Sequence, residues 1–190
     1  MNFSAVILAG GKSSRMDQDK AFLETGGKTL LARQIEIAHA VGATEVFISG
    51  RPCVDYSAFD CRVLLDRFPD AGPLAGIEVA LATGTNPFLL VLAVDLSDMN
   101  FGFLLRLRAA CSDQTGTIPR VANNIEPLAA FYPKTARAIA EKRLRRQSCA
   151  VKDFAGECVR SGLARFVDFS AADSINFKNC NSPADLPCLI

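Results

Sequence analysis

The sequence predicts an α/β fold built on a mostly parallel central sheet. Apolar runs of strand length alternate with stretches of helical period along most of the chain, which is the pattern of repeated βα units. The run 88–94, Phe-Leu-Leu-Val-Leu-Ala-Val, is unbroken, as in a central strand covered on both faces. Hydrophobic residues make up 49% of the 190, enough to bury about 70% of the unfolded surface in one core. One domain over residues 1–190 is expected.

Taken in order, 5–8 reads as a buried first strand followed by a Gly-rich loop. The stretch 29–41 is helical, with apolar residues at 30, 31, 35, 37, 38 and 41, and Gly42 is its stop. Short strands follow at 46–49 and 62–65, and Pro73 opens a helix that runs through residue 81. The central strand 88–94 ends at Asp95. Residues 117–121 and 127–132 read as later strands, 135–145 and 151–160 as helices, and 166–169 as the strand that closes the sheet. No linker, repeat or low-complexity segment interrupts the pattern.

The 21 basic and 20 acidic residues leave a formal net charge of +1. Such a chain has no global field for a nucleic acid or a membrane surface, so any anionic ligand must be held locally. No basic segment precedes the first apolar run, and no apolar stretch reaches the ~20 residues of a membrane span, so a soluble, cytoplasmic protein is expected. The seven cysteines, at 53, 61, 111, 149, 158, 180 and 188, contain no Cys-x-x-Cys pair and read as reduced thiols, not a zinc cage. His39, the one histidine, lies inside the first helical stretch and reads as a surface or interface residue, not the base of a nucleophilic dyad.

In open α/β sheets ligands sit beyond the carboxyl ends of the strands, so chemistry is sought in the residues after each strand. The first strand is followed by Leu8-Ala9-Gly10-Gly11-Lys12-Ser13-Ser14-Arg15-Met16-Asp17-Gln18-Asp19-Lys20. Gly10 and Gly11 let backbone N–H groups approach a polyphosphate, while Arg15 and Lys20 supply charge-assisted contacts to its oxygens. A glycine pair alone is usually only a turn. The loop is not a Walker motif, because Gly27-Lys28-Thr29 would need a glycine at Phe22, and no Gly-x-Gly-x-x-Gly is present.

At this spacing, Leu8-Ala9-Gly10-Gly11, Arg15-Met16 and Asp19-Lys20-Ala21 resemble the signature of the molybdenum cofactor guanylyltransferases, the MobA-like nucleotidyltransferases. The resemblance continues through Asp66, Gly72-Pro73-Leu74-Ala75-Gly76-Ile77, Val94-Asp95, Pro127-Leu128 and Asn179-Cys180-Asn181-Ser182-Pro183, nearly the whole chain. It implies a Rossmann-like three-layer nucleotidyltransferase fold with one antiparallel strand, binding GTP with Mg²⁺ and transferring GMP to molybdopterin with release of pyrophosphate. It implies that Leu8, Ala9, Gly10 and Gly11 meet the guanine nucleotide, Lys20 its phosphates, and Asp66 the nucleotide again. Asp95 matches the magnesium ligand, and Arg15, Lys20 and Asp95 form the implied catalytic set. Ser49, Gly72 and Gly76 complete the implied nucleotide site, and Asn179 and Asn181 match a pair on the acceptor side. A molybdoenzyme chaperone is a further implied partner.

The chain departs from the family pattern at Asp17, where glycine is usual, at Ser97, where proline is usual, and at Ser49, where asparagine often stands. Each implied residue also has a plainer reading. Asp95 could cap a turn, Asp66 could pair with Arg67 at the surface, Gly72 and Gly76 could serve helix-start geometry, and Asn179 and Asn181 could be turn formers. The run Lys142-Arg143-Leu144-Arg145-Arg146 is a solvated helix face or, with Ser148 and Lys152, part of an anionic-acceptor site; it holds no aromatic residue to stack a base. Rival functions are a relative that uses CTP or a sugar-phosphate acceptor, and a non-catalytic nucleotide-binding or delivery protein.

Overall fold

The computed structural model describes residues 1–10 and 20–180. Strand β1 (Phe3–Leu8) leads through a small ribbon, β2 (Glu24–Thr25) and β3 (Lys28–Thr29), into helix α1 (Leu30–Val41). β4 (Glu45–Ser49), β5 (Arg62–Leu64), α2 (Pro73–Thr83), β6 (Phe88–Ala93) and α3 (Phe101–Ala109) follow. The second half holds β7 (Gly116–Val121), β8 (Asn124–Ile125), β9 (Ala129–Pro133), α4 (Arg137–Arg145), α5 (Val151–Arg160) and β10 (Ala164–Phe169). The main sheet has the order β10-β7-β9-β6-β1-β4-β5, with β8 beside β7. β9 runs antiparallel to β6 and β7, and β8 antiparallel to β7, while β1 pairs in parallel with β4 and β6, β4 with β5, and β7 with β10.

The period-2 alternation of the central strands divides the apolar residues between two cores, one on each face. From β1 and β6, Phe3, Ala5, Ile7, Phe88, Leu90 and Leu92 pack with Leu31 and Ile35 of α1 and Phe103 and Leu107 of α3. Val6, Leu89 and Val91 point the other way, against Leu74 and Ile77 of α2, Ala140 of α4 and Phe154 of α5. The result is the three-layer α/β/α arrangement expected from the sequence.

Local chemistry sets the helix ends. Thr29 accepts the Ala32 N–H at 3.1 Å as the α1 cap, and Gly42 closes that helix in the left-handed region. Pro73 occupies the first turn of α2, where its missing N–H costs nothing. Helix α3 goes unread in the sequence although Asn100 caps it, accepting the Phe103 N–H at 2.8 Å. Phe101 and Leu105 stand exposed on its outer side, so the apolar residues trace no single stripe. The 135–145 stretch divides into a 3₁₀ turn, Lys134–Ala136, and α4. The strand read at 127–132 starts two residues later, at Ala129, and runs to Pro133, while Leu128 before it lines the cavity described next.

Candidate active site

The chain runs from β1 to β4 and β5 on one side and then returns to β6 on the other side of β1, so the strand order reverses between β1 and β6. Crossovers leave in opposite directions at such a point and open a crevice beyond the carboxyl ends. A cavity of about 460 Å³ lies there, within the range of small-molecule sites. Its floor is the backbone that leaves three strands. Ala9 N–H donates to Ser49 O at 2.9 Å, Val94 N–H to Leu8 O at 3.2 Å, and Ala93 N–H to Leu128 O at 2.9 Å. These bonds extend the ladders one residue past the strands and fix the loop that carries Gly10 to the turn that carries Asp95.

Lys20 and Asp95 face each other across the cavity mouth, Nζ to Oδ2 3.6 Å, each side chain about a quarter exposed. The turn that presents Asp95 is held from three directions. Asp95 O accepts N–H bonds from Ser97 at 3.0 Å and from Cys180 at 2.9 Å, and buried Gln34 of α1 donates through Nε2 to Leu96 O at 2.7 Å. The Ser97 bond gives the departure at that position a consequence, since proline has no N–H to donate. On the opposite wall, Ser49 is buried at the end of β4 and lines the cavity with Asp66. Desolvation pushes the Asp66 carboxyl up from its ordinary value, and the Ser49 hydroxyl opposes part of that rise.

Of the residues singled out in the sequence, the structure brings Leu8, Ala9, Gly10, Lys20, Ser49, Asp66, Gly72 and Asp95 to one cavity. Gly72 lines it with φ +69°, a conformation that favours glycine, directly before α2. Gly76 does not line the cavity: a Cβ there would overlap the Ser49 hydroxyl and meet Leu8 Cδ2 at 3.0 Å, so α2 comes close to β1 and β4 at this residue. Asn179 is exposed and bridges Leu96 in antiparallel fashion, one residue from Asp95. Gly11, Arg15, Asp17 and Asn181 lie outside the described residues. Asp70 also lines the cavity and was missed; its one sequence signal is its place two residues before Gly72-Pro73.

The plain pairing of Asp66 with Arg67 does not form; Arg67 bonds Glu78 instead. Most of the basic run is neutralised within the fold. Arg143 bonds Glu157 at 2.9 Å, Asp153 at 3.2 Å and Ser148 at 2.7 Å, Lys142 pairs with Glu157, and Arg145 with Glu141. Lys152 acts electrostatically on Glu126, whose carboxyl is pushed up by burial. His39 is exposed near the end of α1. Among the described residues no disulfide joins two cysteines, and burial pushes the Cys158 thiol up to about 12. Among the described residues no three His, Cys, Asp or Glu side chains cluster to cage a metal, and no helix is long and apolar enough to cross a membrane. A single carboxylate such as Asp95 suits a hard cation that completes its shell with water and substrate phosphate oxygens.

Residues 5–157 match the family model described as the MobA-like NTP transferase domain. The chain is 37% identical over 185 residues to a protein of Opitutus terrae named "Probable molybdenum cofactor guanylyltransferase", covering 96% of this chain and 92% of the relative. It is 35% identical over 143 residues to the molybdenum cofactor guanylyltransferase of Syntrophotalea carbinolica, covering 74% and 68%. Among solved structures, the molybdopterin-guanine dinucleotide biosynthesis protein A of Archaeoglobus fulgidus superposes with a TM-score of 0.71 over 96% of this chain and 94% of the other; at 21% identity this likeness concerns the fold.

Proposed function

Because the chain belongs to the MobA-like NTP transferase family, a nucleotidyltransferase family, we propose that it transfers GMP from GTP to molybdopterin in the cytoplasm, as one domain over residues 1–190. The observation that carries this reading is the facing pair Lys20 and Asp95 at the mouth of a 460 Å³ cavity at the switch point of the sheet. One cation and one carboxylate stand beyond the strand ends, where open α/β sheets bind ligands, and this pairing suits a polyphosphate with its cation.

In this reading a terminal phosphate oxygen of molybdopterin attacks the α-phosphorus of GTP. A P–O bond forms to the acceptor, the bond from the α-phosphorus to the β-bridging oxygen breaks, and pyrophosphate leaves. A phosphate monoester with a second pKa near ~6 is already mostly dianionic at neutral pH, so no side-chain base is required. The protein supplies position and charge. The backbone at Leu8, Ala9 and Gly10 cradles the nucleotide, Lys20 offsets charge on the departing pyrophosphate, and Asp66 accepts a hydrogen bond from the nucleotide. Arg15 and Gly11 belong to the same cradle by their sequence motif, and Asn179 with Asn181 flanks the acceptor. Asp95 would hold Mg²⁺, which when bound supplies Lewis-acid stabilisation of phosphate charge.

The test is to incubate the protein with Mg²⁺, molybdopterin and each of the four nucleoside triphosphates in turn, and to identify products by mass spectrometry. The molybdopterin guanine dinucleotide should dominate. A cytosine product would move the chain to a CTP-using relative, and no product with any nucleotide would favour a non-catalytic binding role.

A further inference from the structure

Glu78 is a carboxylate with no solvent exposure, placed on α2 one and a half turns from the cavity. Its Oε1 accepts a hydrogen bond from Nη2 of Arg67 and another from Nε of Arg137 at 3.1 Å, while Oε2 has no hydrogen-bond partner. A charge taken out of water this completely is costly unless it is paired, and Arg67 and Arg137 pair it. Arg67 is the residue after Asp66, yet it does not line the cavity that Asp66 lines. Glu78 therefore reaches the cavity wall through one arginine and one peptide bond.

A second path leads from the same helix to the same cavity. Gly76, two residues before Glu78, packs so closely on Ser49 that no side chain fits between them, and Ser49 lines the cavity with Asp66. These neighbours close a ring around the cavity wall: Asp66 to Arg67, Arg67 to Glu78, Glu78 along α2 to Gly76, Gly76 to Ser49, and Ser49 to the cavity that Asp66 also lines. Arg137 joins Glu78 from α4 and stands outside the ring. We infer that Glu78 is a positioning residue for nucleotide binding, acting through Arg67 to fix the segment that presents Asp66 to the cavity. The inference rests on the proposed contact between Asp66 and the nucleotide.

The experiment measures GTP affinity with Mg²⁺ by calorimetry on the full chain for Asp66→Asn, Arg67→Met and the double variant, with melting temperatures alongside. Arg67→Met keeps the Glu78–Arg137 pair, so the fold should hold. If Asp66→Asn weakens GTP about tenfold, Arg67→Met should weaken it several-fold and the double variant no more than Asp66→Asn alone, because residues acting as one unit are not additive. Arg67→Lys, which keeps the cation, should retain most of the affinity, and Glu78→Gln should match Arg67→Met. Arg137→Met, which removes the cation outside the ring, should lower the melting temperature and leave GTP affinity within about twofold. Losses that add in the double variant, unchanged affinity in Arg67→Met, or an equal loss in Arg137→Met would each overturn the inference. Unchanged affinity in Asp66→Asn would instead remove the contact itself, and with it any positioning role.

Discussion

Lys20 Nζ stands 3.6 Å from Asp95 Oδ2, and the two residues arrive there from opposite sides of the strand reversal, Lys20 from the β1 loop and Asp95 from the end of β6. With each side chain about a quarter exposed, the pair contributes at most about 1 kcal/mol to folding, so both residues can be replaced without loss of the fold.

Lys20→Met should therefore act on the ligand. A hydrogen bond to a charged group is worth roughly 1.5–3 kcal/mol, so GTP affinity and kcat/KM should fall by about tenfold to a hundredfold. Melting without ligand should stay close to that of the parent, while the rise produced by GTP with Mg²⁺ should shrink. Calorimetry and thermal melts check both halves.

The raised Asp66 carboxyl sets the sign of a pH effect. A carboxyl with a higher pKa in the folded than in the unfolded chain favours the fold below its unfolded pKa, and that contribution is lost as pH rises through the folded value. Ligand binding runs the other way. The ionised form accepts the nucleotide's hydrogen bond, so GTP affinity should decline as pH falls through the Asp66 pKa, above the pH at which an ordinary aspartate would act. Ser49→Ala removes the hydroxyl that holds the pKa down and should move this decline to higher pH; Asp66→Asn should flatten it. Carbon-13 NMR titration of the carboxyl reads the shift directly, and an unmoved titration in Ser49→Ala would contradict the assignment.

Gly76→Ala tests the wall behind the cavity. The added methyl overlaps the Ser49 hydroxyl in a packed interior, a strain of about 1–3 kcal/mol. The melting temperature should fall, and combination with Ser49→Ala should recover part of the loss. Equal stability of Gly76→Ala and the parent would show that α2 shifts freely against β4.

Burial also sorts the thiols. Cys53 is exposed, whereas Cys158 is buried with its pKa pushed up to about 12. Since the thiolate is the nucleophile, iodoacetamide at pH 8 should label Cys53 in the native protein and reach Cys158 only after unfolding. Peptide mass mapping over time separates the two.

What could be read in advance follows from where each signal resides. The apolar run of β6 and the glycine stop at Gly42 are local features, as is Pro73, and each marks its element in the structure. That Lys20 and Asp95 meet at one cavity was legible because Lys20 closes the loop after β1 and Asp95 follows β6, where open α/β sheets hold ligands. A glycine in the sequence reports only that something comes close; that Gly76 has Ser49, 27 positions away in sequence, as its neighbour is tertiary information. Glu78 gave no signal at all. A glutamate within an apolar helix reads as its solvated position, and only the meeting of Arg67 and Arg137 on one buried oxygen shows otherwise. Helix α3 was hidden by exposed Phe101 and Leu105, which fill the side where periodicity looks for polar residues.

The central claim is that the cavity at the sheet reversal is where GMP transfer occurs, and Asp95→Asn tests it most directly. The substitution keeps the shape of the side chain and removes its charge. With GTP, Mg²⁺ and molybdopterin, pyrophosphate release should fall by about a hundredfold or more relative to the parent, a loss of roughly 2.7 kcal/mol or more of transition-state stabilisation, while the ligand-free melting temperature changes little. Pyrophosphate release at the parental rate in a folded Asp95→Asn protein would contradict the account.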